Sequence, residues 1–180
     1  AETPEEEEQI RRLQALAEEK NHDSVPWVGV LCGPGNNGGD GVAAARLLKD
    51  MGLRVRAFLV GDRAKMTPDQ RAMEEKLKAA GGALEPFDPR DQEQMLWLHL
   101  CDCKVDALFG VGLCRPLEGD FRHAALMMQD SSNCRVVACD LPSGIHADTG
   151  KVLGTAVRAG VTVTFTCAKP GHYLEDGAEY

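Results

Sequence analysis

Apolar residues fall along this chain in two rhythms: short, nearly unbroken runs, and longer stretches with apolar positions three or four apart. The runs at Val25–Cys32, Arg54–Val60, Ala83–Phe87, Lys104–Phe109, Arg135–Cys139 and Val161–Thr166 predict strands, the last two β-branched and apolar enough to be buried. Helical spacing predicts helices over Glu5–Lys20, Asp40–Met51, Pro68–Ala80, Arg90–Leu100 and Glu118–Gln129. In the first, Ile10, Leu13, Leu16 and Ala17 make the apolar stripe, Pro4 suits the first turn, and Glu5–Glu8 suit the positive end of the helix dipole. Gly52 ends the second helix and Gly81-Gly82 the third. Strand and helix alternate throughout, which predicts a mostly parallel sheet with helices on both faces, an α/β/α sandwich. No repeat or low-complexity segment interrupts it, so one domain over residues 1–180 is expected.

Composition narrows the function classes. Hydrophobic residues at 43% and charged residues at 27% are ordinary for a globular domain. A net charge of −8 argues against a nucleic-acid partner, which wants a basic face, and means that an anionic ligand must be held locally by amides and a few basic side chains. No apolar run approaches the ~18 residues of a membrane span, so no membrane partner is expected, and a cytoplasmic location is, or a mitochondrial one in a eukaryote. The seven cysteines are an odd number in mostly apolar contexts, which predicts reduced, core-type thiols. Cys101-Asp102-Cys103 has no second Cys/His pair at zinc-ligand spacing, so a structural zinc site is not expected.

Three loops at strand ends carry the chemistry. The first, Gly33-Pro34-Gly35-Asn36-Asn37-Gly38-Gly39-Asp40-Gly41, follows an apolar strand and leads into a helix. That is how α/β proteins present backbone N–H groups to a phosphate, because glycine lets an anion approach and the helix N-terminus carries partial positive charge. It lacks the Lys-Ser/Thr ending of a triphosphate-binding loop, and Asp40 at the expected helix start is placed to cap free amides. The second loop runs from Asp106 through Gly110-Val111-Gly112-Leu113-Cys114-Arg115-Pro116 to Gly119, with Arg115 in reach of an anion. Asp106 lies inside an apolar strand, and a buried carboxylate needs a cation or a hydrogen-bonded amide. The third is Asp140-Leu141-Pro142-Ser143-Gly144, where partial burial is expected to raise the Asp140 pKa toward a range useful for proton transfer. Lys169 can face either crevice or solvent, and His146 reads as a bystander.

Together GPGNNGGDG, DALFGVGLCRPLEG, ACDLPSGIHADTGKVLG and AVRAGVTVTFTCAKPG closely resemble the YjeF N-terminal domain family of NAD(P)H-hydrate epimerases, in order and from about Val25 to Gly177. The resemblance implies a Rossmann-like sandwich that interconverts the R and S forms of hydrated NADH or NADPH, so that an S-specific dehydratase can repair the whole pool. Carried over by motif, Asn36, Asn37, Gly38, Gly39, Asp40 and Gly110–Pro116 cradle the nucleotide. Asn37, Asp106 and Ser143 hold a potassium ion, and Asp140 touches the hydrated ring as catalytic acid/base. A homodimer is a further family expectation. The chain departs from the family at both ends: Ala1–Asn21 lacks a Glu-Asn-Ala-Gly signature, and the last strands after the Lys-Pro-Gly turn are expected to be truncated.

Two other readings stand beside it. A non-catalytic binding module of the same fold would be expected to have altered its glycine loop or aspartate, and here Asn36, Asn37, Asp40 and Asp140 are intact. An ordinary NAD(P)-dependent dehydrogenase would use Asp62 on the ribose, but it leaves Asp140–Gly144 and the second loop without a role.

Overall fold

The computed structural model describes residues 3–129 and 134–180, so that Ala1 and Glu2 of the predicted acidic segment lie outside it. Among the described residues five α-helices and six strands alternate as far as β5, which β6 follows without a helix between: α1 (Pro4–His22), β1 (Trp27–Cys32), α2 (Asn36–Asp50), β2 (Arg54–Leu59), α3 (Pro68–Ala79), β3 (Leu84–Pro86), α4 (Gln92–His99), β4 (Cys103–Ala107), α5 (Gly119–Gln129), β5 (Arg135–Cys139) and β6 (Val161–Val163). The strands form one sheet in the order β3-β2-β1-β4-β5-β6, and every pairing is parallel. This is the doubly wound order, whose direction of winding reverses between β1 and β4.

Strand β1 shows why the sheet is buried on both faces. Trp27 and Leu31 point into one apolar cluster with Phe58, Trp97, Leu98 and Met128, under α4 and α5. Val28, Val30 and Cys32 point into the other with Val42, Ala45, Leu77 and Val105, under α2 and α3. Alternation of side chains along a strand produces this division. Trp27 and Trp97 stack with ring centroids 5.4 Å apart.

The differences from the sequence expectations have local causes. Helix α1 starts in a capping box, with the Glu6 N–H donating to Thr3 Oγ1 and the Glu6 carboxylate accepting from the Thr3 N–H. Strand β6 is shorter than Val161–Thr166 and is an edge rather than a buried strand, with Val161 57% and Val163 52% exposed. Asp62 caps a short 3-10 turn at Arg63–Lys65 through the Ala64 N–H, at 2.8 Å. All seven cysteines are free thiols; Cys32, Cys101 and Cys139 are buried, whereas Cys114 and Cys167 are exposed. Among the described residues no helix is long and apolar enough to cross a membrane.

Candidate functional site

A crevice of about 420 Å³ opens at the carboxyl ends of β1, β4 and β5, lined among others by Asn36, Asn37, Asp40, Gly110, Val111, Gly112, Leu113, Asp140 and Phe165. It sits at the winding reversal, where open α/β sheets bind their ligands.

The floor of one wall is the start of α2. The expected helix start at Asp40 is corrected to Asn36, and both asparagines sit in the first turn with Gly35 as a cap that offers no side-chain bond. The helix begins early because its glycines let it lie against the sheet: a Cβ at Gly38 would meet the Gly33 carbonyl oxygen at 1.8 Å, and one at Gly41 would meet the Ala107 side chain at 2.4 Å. Gly38 and Gly39 are therefore buried under the crevice rather than lining it. The fully buried Gln70 of α3 fastens the loop by donating to the Gly33 carbonyl at 2.7 Å. Uncapped amides and the positive end of the helix dipole face the crevice, which favours an anion there. Asp40, one turn into the helix, is not the cap: its carboxyl is pushed up by burial and then by the charge of Asp140.

The second wall ends in Asp140, which follows β5 at φ 69°. Left-handed backbone costs a non-glycine residue roughly 1–2 kcal/mol, least for Asp and Asn. It is held there by its own N–H, which donates to the Val163 carbonyl at 2.8 Å, and by His172 Nε2, which donates to its carbonyl at 2.9 Å. The proton is on Nε2 because Nδ1 accepts from the Lys169 N–H at 3.0 Å. Asp140 Oδ1 accepts from Lys169 Nζ, from Thr164 Oγ1 at 3.2 Å and from the Phe165 N–H at 3.1 Å. The expected rise in its pKa is reversed. Burial alone would push the carboxyl up, but Lys169, the Phe165 N–H and Thr164 outweigh burial and hold it below the usual carboxylate range.

Beneath the crevice lies Asp106, fully buried in β4. It accepts from the Ser143 N–H at 2.7 Å, the Ser143 hydroxyl at 2.6 Å and the Leu108 N–H at 3.2 Å. Burial pushes its carboxyl up to about 6, against these bonds. The Asn37 Nδ2 is buried without a partner among the described residues. Because amide nitrogen and oxygen are assigned from surroundings, that orphan is also where a carboxamide oxygen would turn to a cation. Carboxylate, hydroxyl and carboxamide oxygens are the hard donor types that an alkali cation takes.

Of the residues singled out from sequence, the structure brings Asn36, Asn37, Asp40, Gly110–Leu113 and Asp140 to one crevice and sets Asp106 and Ser143 below it. Cys114, Arg115 and Pro116 are exposed on the loop beyond the lining, and His146 only accepts from the Asp148 N–H at 3.2 Å in a turn. Lys169 is resolved in favour of Asp140. Thr164 and His172 escaped the sequence reading; the alternation in Val-Thr-Val-Thr-Phe, followed by a Pro-Gly reversal, was the signal that set two threonines opposite the apolar face.

The family described as YjeF-related protein N-terminus matches residues 8–171. A bifunctional NAD(P)H-hydrate repair enzyme Nnr of Thermofilum pendens is 48% identical over 151 residues, which cover 83% of this chain and 29% of that protein. An NAD(P)H-hydrate epimerase of Oenococcus oeni is 37% identical over 167 residues, which cover 93% of this chain and 75% of that one. The crystal structure of the yeast protein ynu0 superposes with a TM-score of 0.71 at 24% identity, over 93% of this chain and 72% of that one. The last likeness shows the fold.

Proposed function

The chain belongs to the YjeF-related protein N-terminus family, and on that footing we propose that its crevice epimerises the R and S forms of hydrated NADH or NADPH. The observation that carries this reading is the pairing of an uncapped helix N-terminus with a carboxylate, Asp140, at opposite walls of one crevice at the winding reversal. The first suits the pyrophosphate of a dinucleotide, and the second suits a ring that becomes cationic. The names of the relatives from Thermofilum pendens and Oenococcus oeni support the same substrate.

Asp140 rests as a carboxylate. As the C6 hydroxyl leaves, positive charge develops on the ring, and Asp140 stabilises it. Water then adds at C6 from the other face and gives its proton to Asp140, which passes it on to solvent in the open crevice and so returns to the carboxylate, while the same solvent supplies the proton for the departing hydroxide. Asn37, Asp106 and Ser143 would hold a potassium ion, which when bound supplies positive charge beside the buried carboxylate and toward the pyrophosphate. Cys114, Arg115 and Pro116 act as a rim that meets the nucleotide when it is bound.

An S-specific dehydratase is the functional partner of this activity, and a homodimer its assembly. The relative named as bifunctional carries its repair activities in one chain, of which the present sequence spans 29%.

The test supplies pure R-hydrate with potassium and an excess of S-specific dehydratase, and follows recovery of reduced cofactor by absorbance. Recovery well above the spontaneous rate, lost in Asp140→Ala, is the expected result. A folded protein that gives no acceleration but binds the hydrate would instead be a binding module.

A further inference from the structure

Four groups from one stretch of chain, residues 164–172, converge on Asp140: the Thr164 hydroxyl, the Phe165 N–H, the Lys169 ammonium and the His172 imidazole. The first three take the same oxygen, Oδ1. Lys169 does not line the crevice; its side chain is only 16% exposed, and Nζ also donates to Thr164 Oγ1 at 2.8 Å and to the Phe165 carbonyl at 2.9 Å. The ammonium thus has three oxygen acceptors, as many as it has protons, and none of them belongs to solvent.

The other oxygen, Oδ2, accepts no hydrogen bond from the described residues. It stands against Gly110, where a Cβ would come within 2.9 Å of it and within 3.5 Å of the Asn37 side-chain oxygen. Gly110, Asn37 and Asp140 all line the crevice. One carboxylate therefore has a saturated oxygen on the protein side and an unbonded one on the ligand side.

We propose that Lys169 is a positioning residue for the reaction proposed above: with Thr164 and the Phe165 N–H it pins Oδ1 of Asp140, so that Oδ2 alone meets the substrate. Three donors on one oxygen fix the χ2 of a short side chain that would otherwise swing freely, and a ring at Oδ2 meets an acceptor already oriented. The same ammonium opposes protonation of the carboxyl. The other titratable groups that feel the Asp140 charge are Asp40 on α2 and the Cys139 thiol that precedes it; burial first and then that charge push the Asp40 carboxyl up, and the Cys139 thiol stays neutral. Arginine carries the charge but not the compact head, and methionine fills the space without charge or donors.

The experiment compares wild type, Lys169→Met and Lys169→Arg in two readouts. The first is the titration of the Asp140 carboxyl by carbon-13 NMR on Asp-labelled protein, assigned with Asp140→Asn, and it needs no turnover. The second is the pH profile of epimerisation. In Lys169→Met the carboxyl titration is expected to move up by about one unit, the acid limb of kcat/KM to follow it, and kcat at neutral pH to fall at least tenfold with KM within about threefold. Lys169→Arg should restore the titration and part of kcat. An unmoved titration and pH profile in Lys169→Met overturns the proposal. So does a tenfold rise in KM at constant kcat, which would place the ammonium on the substrate itself. Should Lys169→Met fail to fold, Lys169→Arg decides alone: its carboxyl titration should stay within a few tenths of a unit of wild type while kcat falls. Wild type that does not epimerise while Lys169→Met shifts the titration sinks the activity and leaves the positioning in place.

Discussion

Ser143 holds Asp106 twice, through its N–H to one carboxylate oxygen at 2.7 Å and through its hydroxyl to the other at 2.6 Å. The third loop is thereby fastened to the centre of the sheet by a carboxylate that burial holds up near 6, against 3.8 for a free aspartate. A folded-state pKa above the unfolded one means the folded protein prefers the proton. The stability it contributes is whole below about pH 4 and is lost as pH rises through about 6, roughly 3 kcal/mol in all. In potassium-free buffer, the gap in urea midpoint between wild type and Asp106→Asn should therefore shift against wild type across that window. A pH-independent gap would show that Asp106 stays ionised when the protein folds.

Potassium should act on the same residue in the opposite sense. A cation bound to the folded state alone adds about 2.7 kcal/mol at a hundred times its dissociation constant. At constant ionic strength, replacing choline by potassium is expected to raise the melting temperature of wild type by several degrees, with the gain gone in Asp106→Asn and reduced in Ser143→Ala. Equal melting temperatures in the two salts would remove the cation from this site.

Two glycines separate the role of the crevice from that of the scaffold. Gly110→Ala presses a methyl on Asp140 Oδ2, 2.9 Å away, so kcat should drop tenfold or more while the urea midpoint barely moves. Gly41→Ala drives a methyl into Ala107, 2.4 Å away, and overpacking of that kind costs about 1–3 kcal/mol. Paired denaturation and rate measurements check both, and a stable, fully active Gly110→Ala would show that Oδ2 is not the reacting face.

Thiol reactivity follows burial. Cys114 and Cys167 are exposed and should react with a disulfide reagent within seconds at pH 8. Cys32 and Cys139 are buried, and burial pushes the Cys139 thiol up to about 12. They should react only on unfolding. A count of fast thiols above two would show Cys103 or Cys134, both half-buried, opening in the native state.

The sheet and its winding were legible because periodicity and burial coincide: β1 is buried over all its residues and reads as an unbroken apolar run. The start of α2 was less legible, since Asn and Gly look like loop residues in isolation and are helical here because the close approach of Gly38 to the Gly33 carbonyl and of Gly41 to β1 and β4 admits nothing larger. The carboxylates were legible as residues, and Asp106 was correctly expected to need a partner, found in the Ser143 N–H. The direction of the Asp140 shift was not, because it depends on Lys169, which lies 29 positions away in sequence and reaches Asp140 only through the turn after β6.

That turn has a consequence in time. The crevice walls up to Asp140 come from residues made by the time β5 is complete, but Phe165, which also lines the crevice, and the groups that hold Asp140 arrive with residues 163–172. On the ribosome the strands are therefore made before the site is complete, and a nascent chain stopped short of Lys169 would have the Val163 carbonyl, Thr164 and the Phe165 N–H to hold Asp140 but neither the ammonium nor the His172 imidazole. Competence at this crevice is a late event in the life of each molecule.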